Sequence, residues 1–108
     1  MGDRLVFSKV GCIKRLTVRN YHDEDGAVTS DVEVLLTPGH DEDNIGTTLR
    51  FKGVVGLNLG QIGSGMVSLF EVTDVRSWGW EHVKFRVVES EHQAVSFTCR
   101  EVVIEEPT

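Results

Sequence analysis

The chain has 108 residues, of which 40% are hydrophobic and 26% are charged, and its formal net charge is −6. This length and composition predict one globular domain over residues 1–108 and exclude a disordered chain. No apolar run approaches the ~20 residues that a membrane-spanning helix needs, and the acidic balance argues against general nucleic-acid binding.

The N-terminal part of the chain predicts two β-strands. Residues 4–10 and 12–21 are both rich in residues that favour strands, and Gly11 separates them. In the second run Ile13 is out of phase with the apolar positions that follow it. This mismatch indicates a bulge or an irregular start to the strand.

The middle of the chain alternates between apolar and polar residues, as half-buried strands do. Residues 31–37 and residues 47–55 both show this pattern. The sequence GQIGSG at residues 60–65 predicts a glycine-rich turn before the next strand. Residues 66–75 are mostly apolar with weak alternation, which is typical of a central strand buried on both faces. The inward positions of the two alternating strands are Val32, Val34, Leu36, Leu49 and Phe51.

Residues 81–105 predict a hairpin of two long strands joined at Ser90-Glu91-His92. The register that places apolar residues opposite each other pairs Val87 with Val95, Phe85 with Phe97, and Val83 with Cys99. The turn contains no glycine, which a three-residue loop usually needs. A wider loop over residues 89–93 is therefore the alternative.

Short strands with turn signals every 8–12 residues and no clear helical pattern predict an all-β fold. The expected architecture is an antiparallel β-sandwich or barrel of about 7–8 strands with little or no helix. Cys12 and Cys99 are too far apart for a paired motif, so two separate reduced thiols are expected, with Cys99 buried. The N-terminal residues lack the pattern of a secretory signal, and a cytoplasmic protein is expected.

Two acidic turns share the tetrapeptide HDED, at residues 22–25 and 40–43. Their carboxylates could in principle bind a divalent ion through Asp23, Asp25, Asp41 and Asp43. Neither turn continues with the glutamate that a calcium loop needs at its twelfth position, so solvated turns are the preferred interpretation. We predict no metal site and no cofactor. No nucleophile–base arrangement is recognisable, so the protein is predicted not to be an enzyme.

An aromatic and cationic surface is the main candidate for binding a partner. If the alternation of the last hairpin extends back through Gly79, one face of the strand carries tryptophan, histidine and two cations, with a further arginine opposite. Tryptophan and arginine are enriched in binding hot spots. The alternative is that the glycine resets the phase and the tryptophans cap the core. The predicted partner-binding residues of this surface are Trp78, Trp80, His82, Lys84, Arg86 and Arg100.

Three segments, TLRFKGVVGL (48–57), SLFEVTDV (68–75) and VKFRVVESEHQAVSFTCREVVI (83–104), resemble small bacterial β-proteins. Some proteins of this kind are immunity proteins of bacterial polymorphic-toxin systems, which bind and block a cognate toxin. The resemblance implies a non-enzymatic, protein-binding role and carries over no catalytic residue. An acidic immunity protein suits a basic toxin, which makes the acidic loops 23–25 and 41–43 contact candidates, the second through Asp41, Glu42 and Asp43. The rival interpretation is a structural module that forms homodimers through exposed strand edges.

Overall fold

A computed structural model describes residues 4–38, 46–61, 67–81 and 83–106. The strands are β1 (Arg4–His22), β2 (Val28–Thr37), β3 (Thr47–Lys52), β4 (Val55–Leu59), β5 (Val67–Asp74), β6 (Phe85–Glu89), β7 (Val95–Cys99) and β8 (Glu101–Glu105). They form one sheet in the order β4-β7-β6-β5-β1-β2-β3-β8. Every neighbouring pair is antiparallel. The predicted all-β class is confirmed.

Helical structure in the described part of the chain is limited to one 3₁₀ turn, Arg76–Trp78. Within the same residues, no helix is both long enough and apolar enough to cross a membrane.

The longest strand, β1, is continuous through Gly11, so the prediction of two separate strands was wrong. Gly11 is buried, and a Cβ atom there would lie 3.0 Å from the carbonyl oxygen of Thr37 and 3.1 Å from the Cβ of Leu36. Glycine is needed at this point because β2 approaches β1 too closely for a side chain. The glycine therefore permits close strand packing rather than ending the strand.

β1 pairs with a different strand along each part of its length. Residues Arg4–Cys12 pair with β5, and residues Cys12–His22 pair with β2. The register shifts between Ile13 and Arg15, which confirms the predicted bulge. A bulge bends and twists its strand. The bulge lies just beyond the change of partner, where it helps the sheet to curl.

Two very short connections bring the ends of the sheet together. Gly53 and Val54 link β3 to β4, and Arg100 alone links β7 to β8. Each connection joins strands from opposite ends of the sheet order. The rings of Phe51 on β3 and Phe97 on β7 meet edge to face, with centroids 5.0 Å apart. The single sheet thus wraps around one core, as a barrel does.

The core contains all five predicted inward positions of β2 and β3, which are fully or almost fully buried. On β5 the buried residues Ser68, Phe70 and Val72 alternate with residues that are exposed or partly buried. The prediction that this strand is buried on both faces was therefore wrong. Its outer face stays partly open to solvent because the curled sheet encloses only one side of it.

The hairpin forms, but its register differs from the prediction by two residues. Val87 pairs with Phe97 rather than Val95, and Phe85 pairs with Cys99. A shift of two keeps every side chain on its predicted face. The connecting loop is accordingly wider than three residues. Gln93, at φ 53°, takes the left-handed conformation for which a glycine was expected.

The side chain of Glu89 explains the wide loop. It is fully buried, and its carboxylate accepts backbone hydrogen bonds from Glu91 at 2.8 Å, His92 at 3.0 Å and Ala94 at 3.3 Å. A further N–H, from Leu69 on β5, lies at 3.4 Å. The loop closes around this carboxylate, which accepts hydrogen bonds from the N–H groups of the loop. In a tighter turn, backbone carbonyl groups would accept these hydrogen bonds instead.

The second strand of the predicted hairpin is also shorter than expected. β7 ends at Cys99, and the chain then crosses at Arg100 to β8, which pairs with β3. The backbone N–H of Arg100 donates to the carbonyl of Lys52 at 3.0 Å. Residues 95–105 therefore form two strands with different neighbours rather than one, since β7 lies between β4 and β6 whereas β8 pairs with β3.

Candidate functional site

Trp78 and Trp80 lie at a turn between β5 and β6. Trp78 ends the 3₁₀ turn, and Gly79 follows in the left-handed conformation at φ 73°. The prediction that strand alternation continues through Gly79 was therefore wrong. The turn nevertheless brings the two indole rings together, with centroids 5.0 Å apart and planes at 65°. Trp80 is 61% exposed, whereas Trp78 is partly buried.

The turn is held at its start by Asp74 and Arg76. The Asp74 carboxylate accepts the backbone N–H of Arg76 at 3.0 Å and its side-chain Nε at 2.9 Å. These hydrogen bonds lower the pKa of Asp74 and raise the pKa of Arg76. The pair connects the end of β5 to the segment that carries both tryptophans, so it positions them relative to the sheet.

Trp80 borders a groove of about 300 Å³ on the outer face of β4, β7 and β6. Arg86 on β6 and Thr98 on β7 are neighbours across the sheet and also line this groove. The hydroxyl of Thr98 donates to the carbonyl of Val55 on β4 at 3.2 Å. The groove thus combines an exposed indole, a guanidinium and an apolar side chain.

A second groove, of about 380 Å³, adjoins the first. It is lined by Asp23 and Asp25 of the first acidic turn and by Arg100. Val55, which is 57% exposed, borders both grooves. Arg100 is exposed at the crossover between β7 and β8. We refer to the continuous surface formed by Val55, Trp80, Arg86 and Arg100 as the Trp80 surface.

The structure brings together some of the predicted partner-binding residues and leaves others outside its description. Trp78, Trp80 and Arg86 lie at or next to one groove, and Arg100 lies on the adjoining one. Lys84 is exposed just before β6, and its backbone N–H donates to the carbonyl of Cys99. Arg100 lies at a crossover rather than on a hairpin strand, contrary to the prediction. The predicted residues His82, Asp41, Glu42 and Asp43 lie outside the described residues.

One family model matches almost the whole chain. It is described as Immunity protein PIM8, and it covers residues 5–105. The chain belongs to this immunity protein family. The resemblance to immunity proteins is thus confirmed, and it extends over the first half of the chain as well as the second. No significant match was found among curated proteins or among solved structures.

The first acidic turn of this immunity protein uses its leading carboxylate to stabilise its own backbone. Asp23 Oδ1 accepts the N–H groups of Asp25 at 2.9 Å and of Ala27 at 3.0 Å. Over the described ranges, no three His, Cys, Asp or Glu side chains are grouped so that they could hold a metal ion. The other candidate carboxylates, Asp41 and Asp43, fall outside these ranges.

The two cysteines of the immunity protein are free and Cys99 is buried, as expected, and Cys12 is buried as well. Burial raises the pKa of the Cys99 thiol to about 12. A thiol with such a pKa is almost entirely protonated at neutral pH, and only the thiolate is a strong nucleophile. Cys99 therefore contributes to the packing of the core, and its thiol is a poor nucleophile in the folded protein.

Sequence reasoning missed the contribution of β4 to this surface. The sequence pattern placed Val55 at the end of the strand 47–55, and it left open whether Leu57 and Leu59 form a short strand or an apolar connection. A usable signal was present, since residues 53–70 contain no Asp, Glu, Lys, Arg or His. A long uncharged run that includes an edge strand is unusual, because edge strands are commonly protected by charges.

Proposed function

We propose that this immunity protein neutralises a cognate toxin by binding it directly through the Trp80 surface. The observation that carries the proposal is the 61% exposure of Trp80 next to Arg86. Covering the exposed indole with a partner would remove its apolar area from water, which favours binding. Tryptophan and arginine together are the residue types most enriched at the centres of protein interfaces.

The proposed mechanism is occlusion and involves no catalysis. Trp78 packs against one side of Trp80 and restricts the indole before binding, so less conformational entropy is lost in the complex. Arg86 and Arg100 offer charged donors to carboxylates of the toxin. Binding blocks the toxin by covering its functional surface, for which the immunity protein needs shape and charge but no reactive group.

We further propose that the toxin is basic overall, since the immunity protein has a net charge of −6. Opposite net charges accelerate association, and salt screens this effect. The acidic residues of both HDED segments contribute to the long-range field, and Asp23 and Asp25 line the second groove. The triple substitution of Asp41, Glu42 and Asp43 by Ala should slow association and weaken its dependence on salt. An unchanged association rate would remove this loop from the proposal.

The central experiment measures the affinity for the toxin domain encoded by the gene adjacent to that of this chain. Trp80→Ala should weaken binding by about 30-fold or more, the effect of removing a hot-spot residue. The control is Ile104→Ala, because Ile104 is an exposed apolar residue on β8 that lines neither of the two grooves.

Equal affinities for wild type and Trp80→Ala would overturn the assignment of the surface. Absence of binding by the wild-type protein would overturn the proposed function itself. Both variants change side chains that are substantially exposed, so far-ultraviolet circular dichroism and thermal unfolding should show that each retains the fold.

A further inference from the structure

β4 is an edge strand without charged protection. Among the described strands, β4 occupies one end of the sheet order and pairs with β7 alone, while β8 occupies the other end. Edge strands present unpaired N–H and C=O groups, which natural proteins commonly protect with charged side chains. β8 begins and ends with the exposed residues Glu101 and Glu105, whereas β4 reads VGLNL and carries no charge.

Leu59 directs its backbone N–H and C=O groups to the open side of β4. The N–H of Gly60 donates to the carbonyl of Ala94 at 2.6 Å, and Leu59 lies opposite Val95. Hydrogen-bonded and non-hydrogen-bonded pairs alternate along an antiparallel ladder. Since Gly60 bonds to the β7 side, Leu59 does not. An incoming strand would therefore find both a donor and an acceptor at Leu59.

The register of β4 is irregular only toward its first residues. The shift lies between Val55 and Asn58, at the left-handed Gly56. Val55 and Gly56, on the irregular side of this shift, line the groove that Trp80 also borders. Beyond the bulge, the pairing of Asn58 and Leu59 with β7 is regular. A further strand can therefore pair with the regular part at Asn58 and Leu59, while Val55 at the bulged part belongs to the Trp80 surface.

We propose that β4 accepts a β-strand from the toxin, which extends the sheet through main-chain hydrogen bonds centred on Leu59. This inference rests on the proposed function, because it assigns the binding mode of the same toxin. Main-chain pairing supplies affinity, while side chains at alternate positions supply specificity. The toxin segment is extended, carries apolar side chains that cover Val55 and Trp80, and offers a carboxylate to Arg86.

A second copy of this chain fits the edge less well than a toxin strand does. Pairing of β4 with another β4 would place two uncharged segments together and would supply no carboxylate from either strand to Arg86. It would also join two molecules that each carry a net charge of −6, which repel each other. Charge complementarity therefore favours a different chain as the occupant.

Amide hydrogen exchange tests the inference directly, with and without the toxin domain encoded by the adjacent gene. The Leu59 amide should be protected by about tenfold or more in the complex, since it gains a hydrogen bond. The Gly60 amide is the internal control, because it already bonds to Ala94 and should change much less. Amides of β8 should also be unchanged.

A pair of variants provides a second readout. Leu59→Pro removes the outward N–H and should weaken toxin binding by about tenfold. Leu59→Lys adds charge to the edge and should weaken it as well, whereas the matched change Ile104→Lys on β8 should not. Circular dichroism establishes that each variant is folded. The amide exchange experiment uses only the wild-type protein, so it tests the inference even if a variant fails to fold.

The outcomes separate this inference from the proposed function. Toxin binding that depends on Trp80 but leaves the Leu59 amide unprotected overturns strand addition and leaves the proposed function in place. Loss of all toxin binding by the wild type overturns both. Protection of Leu59 without toxin, together with a dimer by light scattering, overturns the toxin as occupant in favour of a second copy of this chain.

Discussion

A Cβ atom built on Gly53 would lie only 3.1 Å from the Cβ of Arg100. These residues belong to the two connections that cross between opposite ends of the sheet, and they pack directly against each other. Gly53 also adopts φ +68°, a conformation that residues with a side chain rarely take. The closure of the curled sheet therefore depends on the absence of a side chain at residue 53.

Substitution of Gly53 by Ala should destabilise the fold by more than the backbone strain alone. Gly26 is the matched control, since it has φ +82° and a Cβ there would have no neighbour within 4 Å. Both variants incur the strain of a positive φ, roughly 1 kcal/mol. Only Gly53→Ala adds the steric contact, and we expect an extra loss of about 1–2 kcal/mol in urea unfolding. Equal losses would show that Arg100 moves aside at no cost.

The buried carboxylate of Glu89 should be important for stability. Glu89→Gln replaces one acceptor oxygen with an NH₂ group, which would face backbone N–H donors and leave some of them unsatisfied. We expect a loss of about 2 kcal/mol in the free energy of unfolding. The control Glu91→Gln lies in the same loop and is exposed, so it should cost little. A small effect of Glu89→Gln would contradict the role assigned to this carboxylate.

The Asp74–Arg76 pair predicts a specific dependence on pH. Its hydrogen bonds lower the pKa of Asp74 below the ordinary value of 3.8. A carboxyl group with a lowered pKa in the folded state contributes stability above its unfolded pKa, and this contribution disappears as the pH falls through the folded pKa. Nuclear magnetic resonance titration should therefore place the Asp74 midpoint below 3.8.

The variant Arg76→Gln is the control for this titration. It removes the guanidinium that donates to the Asp74 carboxylate, so the pKa of Asp74 should rise toward its ordinary value. The same variant should increase the mobility of Trp80, because the turn loses the side-chain hydrogen bonds to Asp74 and keeps only the one from the Arg76 backbone. An Asp74 midpoint that stays low in Arg76→Gln would refute this explanation.

The thiol of Cys99 should resist alkylation while the protein is folded. Its pKa of about 12 leaves very little thiolate at pH 8, and the side chain is fully buried. Iodoacetamide labelling followed by mass spectrometry should be slow in buffer and fast in urea. Cys99→Ser isolates the signal of Cys12, which is also buried. Rapid labelling of Cys99 under native conditions would mean that the hairpin opens readily.

Much of the local structure followed from the pattern of residues. Alternation identified the strands and the core face of β2, β3 and the last hairpin, because one buried face imposes a period of two. The phase break at Ile13 predicted the bulge in β1. The register of the hairpin did not follow, since apolar pairs exist in more than one register; in the observed register the loop encloses Glu89.

The residues of the candidate site could be predicted only in part from the sequence pattern. Trp78 and Trp80 were correctly chosen as neighbours, although a 3₁₀ turn rather than strand alternation brings them together. Whether Trp80 faced solvent or the core depended on Gly79, whose conformation is not encoded in hydrophobic periodicity. Val55 was missed because its place beside Trp80 depends on the pairing of β4 with β7.

The sequence by itself determined the all-β class, the inward faces and the aromatic, cationic composition of the surface, because these depend on alternation and residue type. Only the tertiary structure decided that Gly53 and Arg100 meet, that residues 95–105 divide between β7 and β8, and that β4 ends the order of the described strands. Strand order depends on contacts between residues far apart in the chain, and local patterns do not specify which partners meet.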